Sequence, residues 1–323
     1  MQVVESYVGL KIRRLQFLAV AMIVAIHSTF LSTNVIVRLL TQWAVPFFLC
    51  VSGCLFSVSI ERNSAVEIVR KKFLTLVVPY VFWVTLGWIT LGSGDVWHAY
   101  GITTAMPTGL GVFWFVRQLV VSMSVLLALE GLMRLVGLRK WRRLISVCVY
   151  CAVFWAASRI NWIVAMPASP FWLVLGYALE PVLLENRTRD MYKLSWILAV
   201  PLFVVAVVVR CCCCQVTGAY EVLVRNGCDI LVMAALWFLY DGVFKGRAVK
   251  TSKWGEALLA CTFGVYAVHV FALHILRGFP PFHRLVLALL GSVAFVLVSG
   301  WLCPRSAESI LGGRIPRLRG GSS

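Results

Sequence analysis

Two histidines and an arginine stand inside apolar runs of this chain. His27 lies in "LAVAMIVAIHSTF", His269 in "FGVYAVHVFALHI" and Arg117 in "VFWFVRQL". Imidazole titrates near neutral pH and can take a proton from a hydroxyl as a general base. A guanidinium can stabilise a developing oxyanion or hold an anionic group. Polar groups in hydrocarbon are costly, so each needs a reason to be there. Read singly, the reasons can be bland: a histidine bonded to a carbonyl, or an arginine snorkelling to the interface. Read together, the three suggest a site for proton removal and charge stabilisation.

The elements that would carry them are membrane helices. Apolar runs of membrane length occur at 11–31, 39–59, 73–91, 112–133, 144–164, 170–184, 194–209, 227–244, 257–276 and 284–302. His27 lies 13 residues after Arg14, roughly 20 Å along a helix rising ~1.5 Å per residue. His269 lies 12 residues after Ala257, or roughly 18 Å. Arg117 enters its span from the opposite end, about one and a half turns in. In a hydrocarbon core about 30 Å thick, the three are expected in one layer of the outer half.

Composition agrees with a membrane assignment. Of 323 residues, 61% are hydrophobic and 13% charged, and mean hydropathy is +0.89. Soluble domains average about 45–50% apolar and about 25% charged. The net charge of +17 would suggest nucleic acid in a soluble protein; here it has a topological explanation. With the N-terminus cytoplasmic, 23 of the 30 Lys and Arg fall in inner segments, as the positive-inside rule requires. The remaining seven, Arg38, Arg117, Arg159, Arg210, Arg225, Arg277 and Arg284, include no lysine. The expectation is an all-α polytopic bundle of about ten transmembrane helices, both termini cytoplasmic and no nucleic-acid partner. The first span lacks a small-x-small cleavage site and reads as a retained helix.

Other polar features have simpler explanations. His98 and Asp95 share an outer loop near 92–111, and His274 and His283 sit near a helix end. Trp114, beside Phe113 and Phe115, is a candidate cavity-lining residue. The run "RCCCCQ" at Arg210–Gln215 lacks zinc-site spacing, and no metal site is expected. Cys50 and Cys54, at i and i+4, read as small packing residues. Residues 305–323 read as a disordered basic tail on the anionic inner leaflet. There is no internal repeat and no glycine-rich nucleotide motif.

At these same residues the sequence resembles the acyltransferase 3 family of integral-membrane acyltransferases. "RLQFLAVAMIVAIHS" (Arg14–Ser28) is similar to the family's first helix and "AVPFFLCVSGCLF" (Ala44–Phe56) to its second. "RKKFLTLVVPYVFW" (Arg70–Trp83) resembles its basic inner loop and third helix. "VFWFVRQLVV" (Val112–Val121), "FWLVLGYAL" (Phe171–Leu179) and "FGVYAVHV" (Phe263–Val270) resemble its Trp-Phe, Gly-Tyr and Tyr-x-x-His segments. The six segments keep the family's order and cover most of the chain, and residues 1–304 are expected to form one integral-membrane domain. Two positions depart from the pattern: Gln16 stands where a basic residue is common eleven positions before the histidine, and Thr75 replaces one of two basic residues three apart.

The resemblance implies an acyltransferase using cytoplasmic acyl-CoA, with acetyl the default acyl group. The acceptor would be a hydroxyl of a surface polysaccharide, peptidoglycan or glycolipid at the inner or plasma membrane. It marks His27 as the essential histidine, acting as general base or transiently acylated. Arg117 would stabilise the oxyanion or bind acceptor, and His269 would orient or complete the site. The phosphates of CoA would meet Arg70, Lys71 and Lys72, or Arg13 and Arg14. A transporter or flippase also uses midplane polar residues, but the halves show no internal symmetry. A structural membrane subunit is the third class.

Overall fold

The computed structural model describes residues 7–28, 35–91, 114–138, 141–159, 169–184, 189–213, 219–244 and 252–302. Every element among them is helical. The chain divides into two compact units, Met1–Phe48 with Leu184–Val298 and Pro316–Ser323, and Leu49–Leu183 with Ser299–Ile315.

The first unit holds α1 (Tyr7–His27), α2 (Val35–Gln42), the opening turn of α3 (Ala44–Arg62), α9 (Arg189–Cys212), α10 (Ala219–Phe244), α11 (Lys253–Ala260), α12 (Thr262–Ile275) and most of α13 (Pro281–Leu302). α9 and α10 form its most extensive pairing, and α1 packs on α2, α11 and α12. The ninth apolar run is two helices rather than one. α11 starts at the N-cap Ser252, whose hydroxyl accepts from the Gly255 amide, and ends at Cys261, where α12 begins.

The second unit holds the rest of α3, α4 (Ala65–Lys72), a π-helical turn (Phe73–Val77), α5 (Val78–Leu91), α6 (Trp114–Leu135), α7 (Arg142–Arg159) and α8 (Ser169–Leu184). Ser64 caps α4 through a reciprocal box, its hydroxyl accepting from the Glu67 amide while Glu67 accepts from the Ser64 amide. The basic stretch Arg70–Lys72 is therefore helical and runs into α5 without a loop. α6 ends in a Schellman arrangement: Leu138 N donates to Met133 O, Gly137 N to Arg134 O, and Gly137 has φ +77°.

α3 and α8 cross in backbone contact. A Cβ on Gly53 would lie 1.9 Å from the Leu173 carbonyl oxygen, and one on Gly176 would lie 1.7 Å from that of Cys50. Only hydrogen fits at either position, so these glycines set how closely the helices approach.

Five helices among the described residues are long and apolar enough to cross a membrane: Leu39–Arg62, Ala65–Thr90, Phe115–Leu135, Val224–Phe244 and Pro281–Leu302. Arg143–Ala152, Ile197–Cys212 and Thr262–Ile275 are apolar but shorter. The outer-loop pair His98 and Asp95, the tail at 305–323 and Cys214 lie outside the described residues.

Candidate active site

The first unit brings two of the three candidate residues together. α1 ends on His27, and α12 carries His269 at mid-length. Their ring centroids are 5.6 Å apart, with the planes tilted by 36°. The residues come from opposite ends of the sequence and meet because α1 packs on α12. His27 is exposed, whereas His269 is fully buried at 0%.

His269 is held from its own helix. Its Nδ1 faces the carbonyl oxygen of Tyr266 three residues earlier, and the Tyr266 ring lies 5.5 Å away, centroid to centroid. The Nε2 atom is buried with no hydrogen-bond partner among the described residues. Beside His27, the buried Ser28 hydroxyl donates to the Ala25 carbonyl at 2.8 Å and so closes its own helix end. A fully buried imidazole beside a second, exposed imidazole gives this end of α1 a means of accepting hydrogen bonds.

The other end of α1 is anchored by charge. Lys11 Nζ donates to Asp241 Oδ1 on α10 at 2.6 Å, and Tyr7 OH donates to the same oxygen at 3.0 Å. The ammonium also lies 3.6 Å from the centroid of the Trp237 ring, a cation–π contact. One turn on, Arg14 Nη1 donates to Tyr240 OH at 3.2 Å and its guanidinium sits 4.9 Å from the Phe244 centroid. Lys11 is thus no free inner-flank cation, as the charge count treats it, but a buried partner of α10. The signal that points to this is Asp241 itself, a carboxylate isolated in the apolar "WFLYDGVF".

Arg117 and the basic stretch Arg70, Lys71 and Lys72 belong to the second unit. Arg117 is half-buried in the first turns of α6, Arg70 and Lys71 are exposed, and Lys72 is half-buried. Lys72 lines a cavity of about 170 Å³ whose other walls include Phe56, Ile68, Val120 and Met123. Of the remaining CoA-phosphate candidates, Arg13 is half-buried in the first unit and Arg14 is engaged by Tyr240 and Phe244.

The second unit also contains a buried polar cluster that sequence reasoning did not single out. Glu130 Oε1 accepts from Tyr177 OH and, at 3.4 Å, from Ser146 Oγ, joining α6, α7 and α8. Further along, Arg143 pairs with Glu61 and, at 2.9 Å, with Glu180. Glu130 in "LLALEGLMRL" is the sequence signal for the cluster. Among the described residues no group of three or more His, Cys, Asp or Glu side chains could hold a metal ion.

Residues 11–304 match a family described as an acyltransferase domain. Among curated proteins the chain is similar to nodulation protein NolL of Mesorhizobium japonicum (strain LMG 29417 / CECT 9101 / MAFF 303099), 26% identical over 230 residues. That alignment covers 70% of this chain and 58% of NolL, so the chain spans less than two thirds of that relative's length. No solved structure matches the chain.

Proposed function

Because the chain belongs to the acyltransferase 3 family over residues 11–304, we propose that it transfers an acyl group, by default acetyl, from cytoplasmic acyl-CoA to a hydroxyl of a cell-surface carbohydrate or glycolipid. The observation that carries this reading is the His27–His269 pair, with one ring exposed and the other buried behind it. A hydroxyl reaching His27 gives up its proton to the imidazole. Its oxygen bonds to the thioester carbon, the C–S bond breaks, and the departing thiolate takes the proton back from His27. The sum is an ester and a free thiol, with no redox change.

Arg117 is assigned the charge that accumulates on the carbonyl oxygen, or an anionic group of the acceptor. His269 orients His27. Arg70, Lys71 and Lys72, with Arg13 or Arg14, are assigned the CoA phosphates. Exposure of Arg70 and Lys71 supports this, and the engagement of Arg14 with Tyr240 makes it the weaker member. We assign the protein to the cell or inner membrane with multiple spans; the five membrane-length apolar helices among the described residues support this.

The test is transfer of radiolabelled acetyl from acetyl-CoA to endogenous glycans and lipids in membranes carrying the full chain. His27→Ala should abolish the transfer at normal expression. Wild-type turnover by that variant would remove His27 from the chemistry. Mass spectrometry of surface glycans and lipids from cells with and without the gene then identifies the acceptor by its lost acyl mass.

A further inference from the structure

The hydrogen bond on one side of His269 decides what its other side can do. A backbone carbonyl oxygen only accepts, so the Nδ1 that faces Tyr266 O must carry the proton. In the neutral ring Nε2 is then a bare lone pair: it accepts and cannot donate. That atom is fully buried and has no partner among the described residues. An acceptor left unfilled in such a place costs free energy, so a donor is expected opposite it.

His27 is the ring placed to supply that donor. Two imidazoles joined by a direct N–H···N bond of about 3 Å have centroids roughly 5 Å apart, and the observed separation is 5.6 Å. His27 is the last residue of α1 and is exposed, so a small rotation of its side chain closes the gap. His269 is packed on all sides and bonded to its own helix, so it forms the fixed member of the pair.

We propose that His269 is a positioning residue whose Nε2 accepts an N–H from His27, selecting the His27 tautomer that leaves its other ring nitrogen bare for the acceptor hydroxyl. The role in catalysis rests on the reading of His27 as general base. When His27 takes the hydroxyl proton, both its nitrogens carry hydrogen and the bond to His269 persists, now charge-assisted. His269 stays neutral throughout and keeps its own proton on Nδ1. The proton leaves His27 for the thiolate, restoring the starting tautomer. A third group that orients the base is the general logic of activated nucleophiles; here the group is an imidazole locked by a backbone carbonyl.

The experiment uses the full chain in lipid nanodiscs, labelled with ¹⁵N-histidine, and compares the wild type with His269→Gln and His269→Leu. Glutamine keeps an acceptor near the Nε2 position; leucine removes it. Solid-state NMR of the wild type should show His269 protonated at Nδ1 and bare at Nε2, and His27 in one tautomer. His27 should become a tautomer mixture in the leucine variant and stay single in the glutamine variant. Acetyl transfer should fall by about 10²-fold or more in kcat for leucine, with KM little changed, and be largely rescued by glutamine.

A wild-type spectrum with His269 protonated at Nε2 overturns the proposal, whether or not the variants fold. So does a leucine variant with wild-type kcat. If the tautomers are as stated but the wild type transfers no acyl group, the histidine pairing stands and the acyltransferase reading of the site falls.

Discussion

Lys11 and Asp241 form an ion pair across 230 residues of sequence, with Nζ to Oδ1 at 2.6 Å and side-chain exposures of 2% and 1%. The pair closes the N-terminal end of α1 against α10, with Tyr7 as a second donor to the same oxygen. His27 lies 16 residues further along the same helix, about 24 Å away at 1.5 Å per residue. One rigid helix therefore links a buried charge lock to the candidate catalytic ring.

Removing one half of that lock leaves the other charge buried. Lys11→Met or Asp241→Leu should each destabilise the protein by about 3–5 kcal/mol, whereas the double variant should recover much of the loss. Thermal unfolding in detergent, set out as a double-mutant cycle, checks this. Additive single effects would show that the two side chains act independently.

Arg117 is expected to act on charge that develops during the reaction. Arg117→Ala should lower kcat by about 10²–10³-fold, the range seen when one oxyanion donor is lost. Arg117→Lys keeps the charge but not the planar fork, and should fall between the alanine variant and the wild type. Steady-state acetyl transfer in membranes measures both. An unchanged KM for acetyl-CoA would separate a role at the reacting carbonyl from one in donor binding.

The α3–α8 crossing admits no side chain at Gly53 or Gly176. Both alanine variants place Cβ within 2 Å of a backbone oxygen, and backbone cannot step aside as a flexible side chain can. Each should cost at least the 1–3 kcal/mol typical of overpacking. Size-exclusion chromatography of fluorescently tagged variants should show lower monodisperse yield. Gly131→Ala, where no atom lies within 4 Å of an added Cβ, is the matched control and should leave the yield unchanged.

Tyr177 provides a donor to the buried Glu130 carboxyl. Tyr177→Phe keeps the ring and removes the hydroxyl, and should destabilise the protein by about 1–3 kcal/mol. Ser146→Ala removes the longer of these two contacts, at 3.4 Å, and should cost less. Thermal melts rank the two variants.

Hydropathy made the membrane-helical class legible and the resemblance of short motifs the family, because both are recorded locally along the chain. An apolar run of membrane length is visible in a window of about 20 residues, and "FGVYAVHV" or "RLQFLAVAMIVAIHS" can be recognised without knowing its neighbours. The depth argument put His27, His269 and Arg117 in one layer, since helical rise is nearly constant; of these the structure sets the first two rings side by side, 5.6 Å apart. Element breaks were harder. The ninth apolar run is continuous in hydropathy, yet it divides at Cys261, and the basic stretch before α5 reads as a loop but forms a capped helix.

By itself, then, the sequence determined the solvent each segment seeks and the residue types held at unusual depth. Tertiary structure alone decided the partners. Lys11 is indistinguishable from any inner-flank cation until α10 presents Asp241 and Trp237. Gly53 looks like an ordinary small residue until the Leu173 carbonyl arrives against it. His269 is a titratable side chain of unknown tautomer until the carbonyl of Tyr266 faces one nitrogen and the packing of α1 on α12 brings the His27 ring within 5.6 Å of it, centroid to centroid. The physical reason is common to all three. Hydropathy is a property of one residue and its near neighbours, whereas a hydrogen bond or close contact requires two groups whose separation is fixed only when the whole chain has packed.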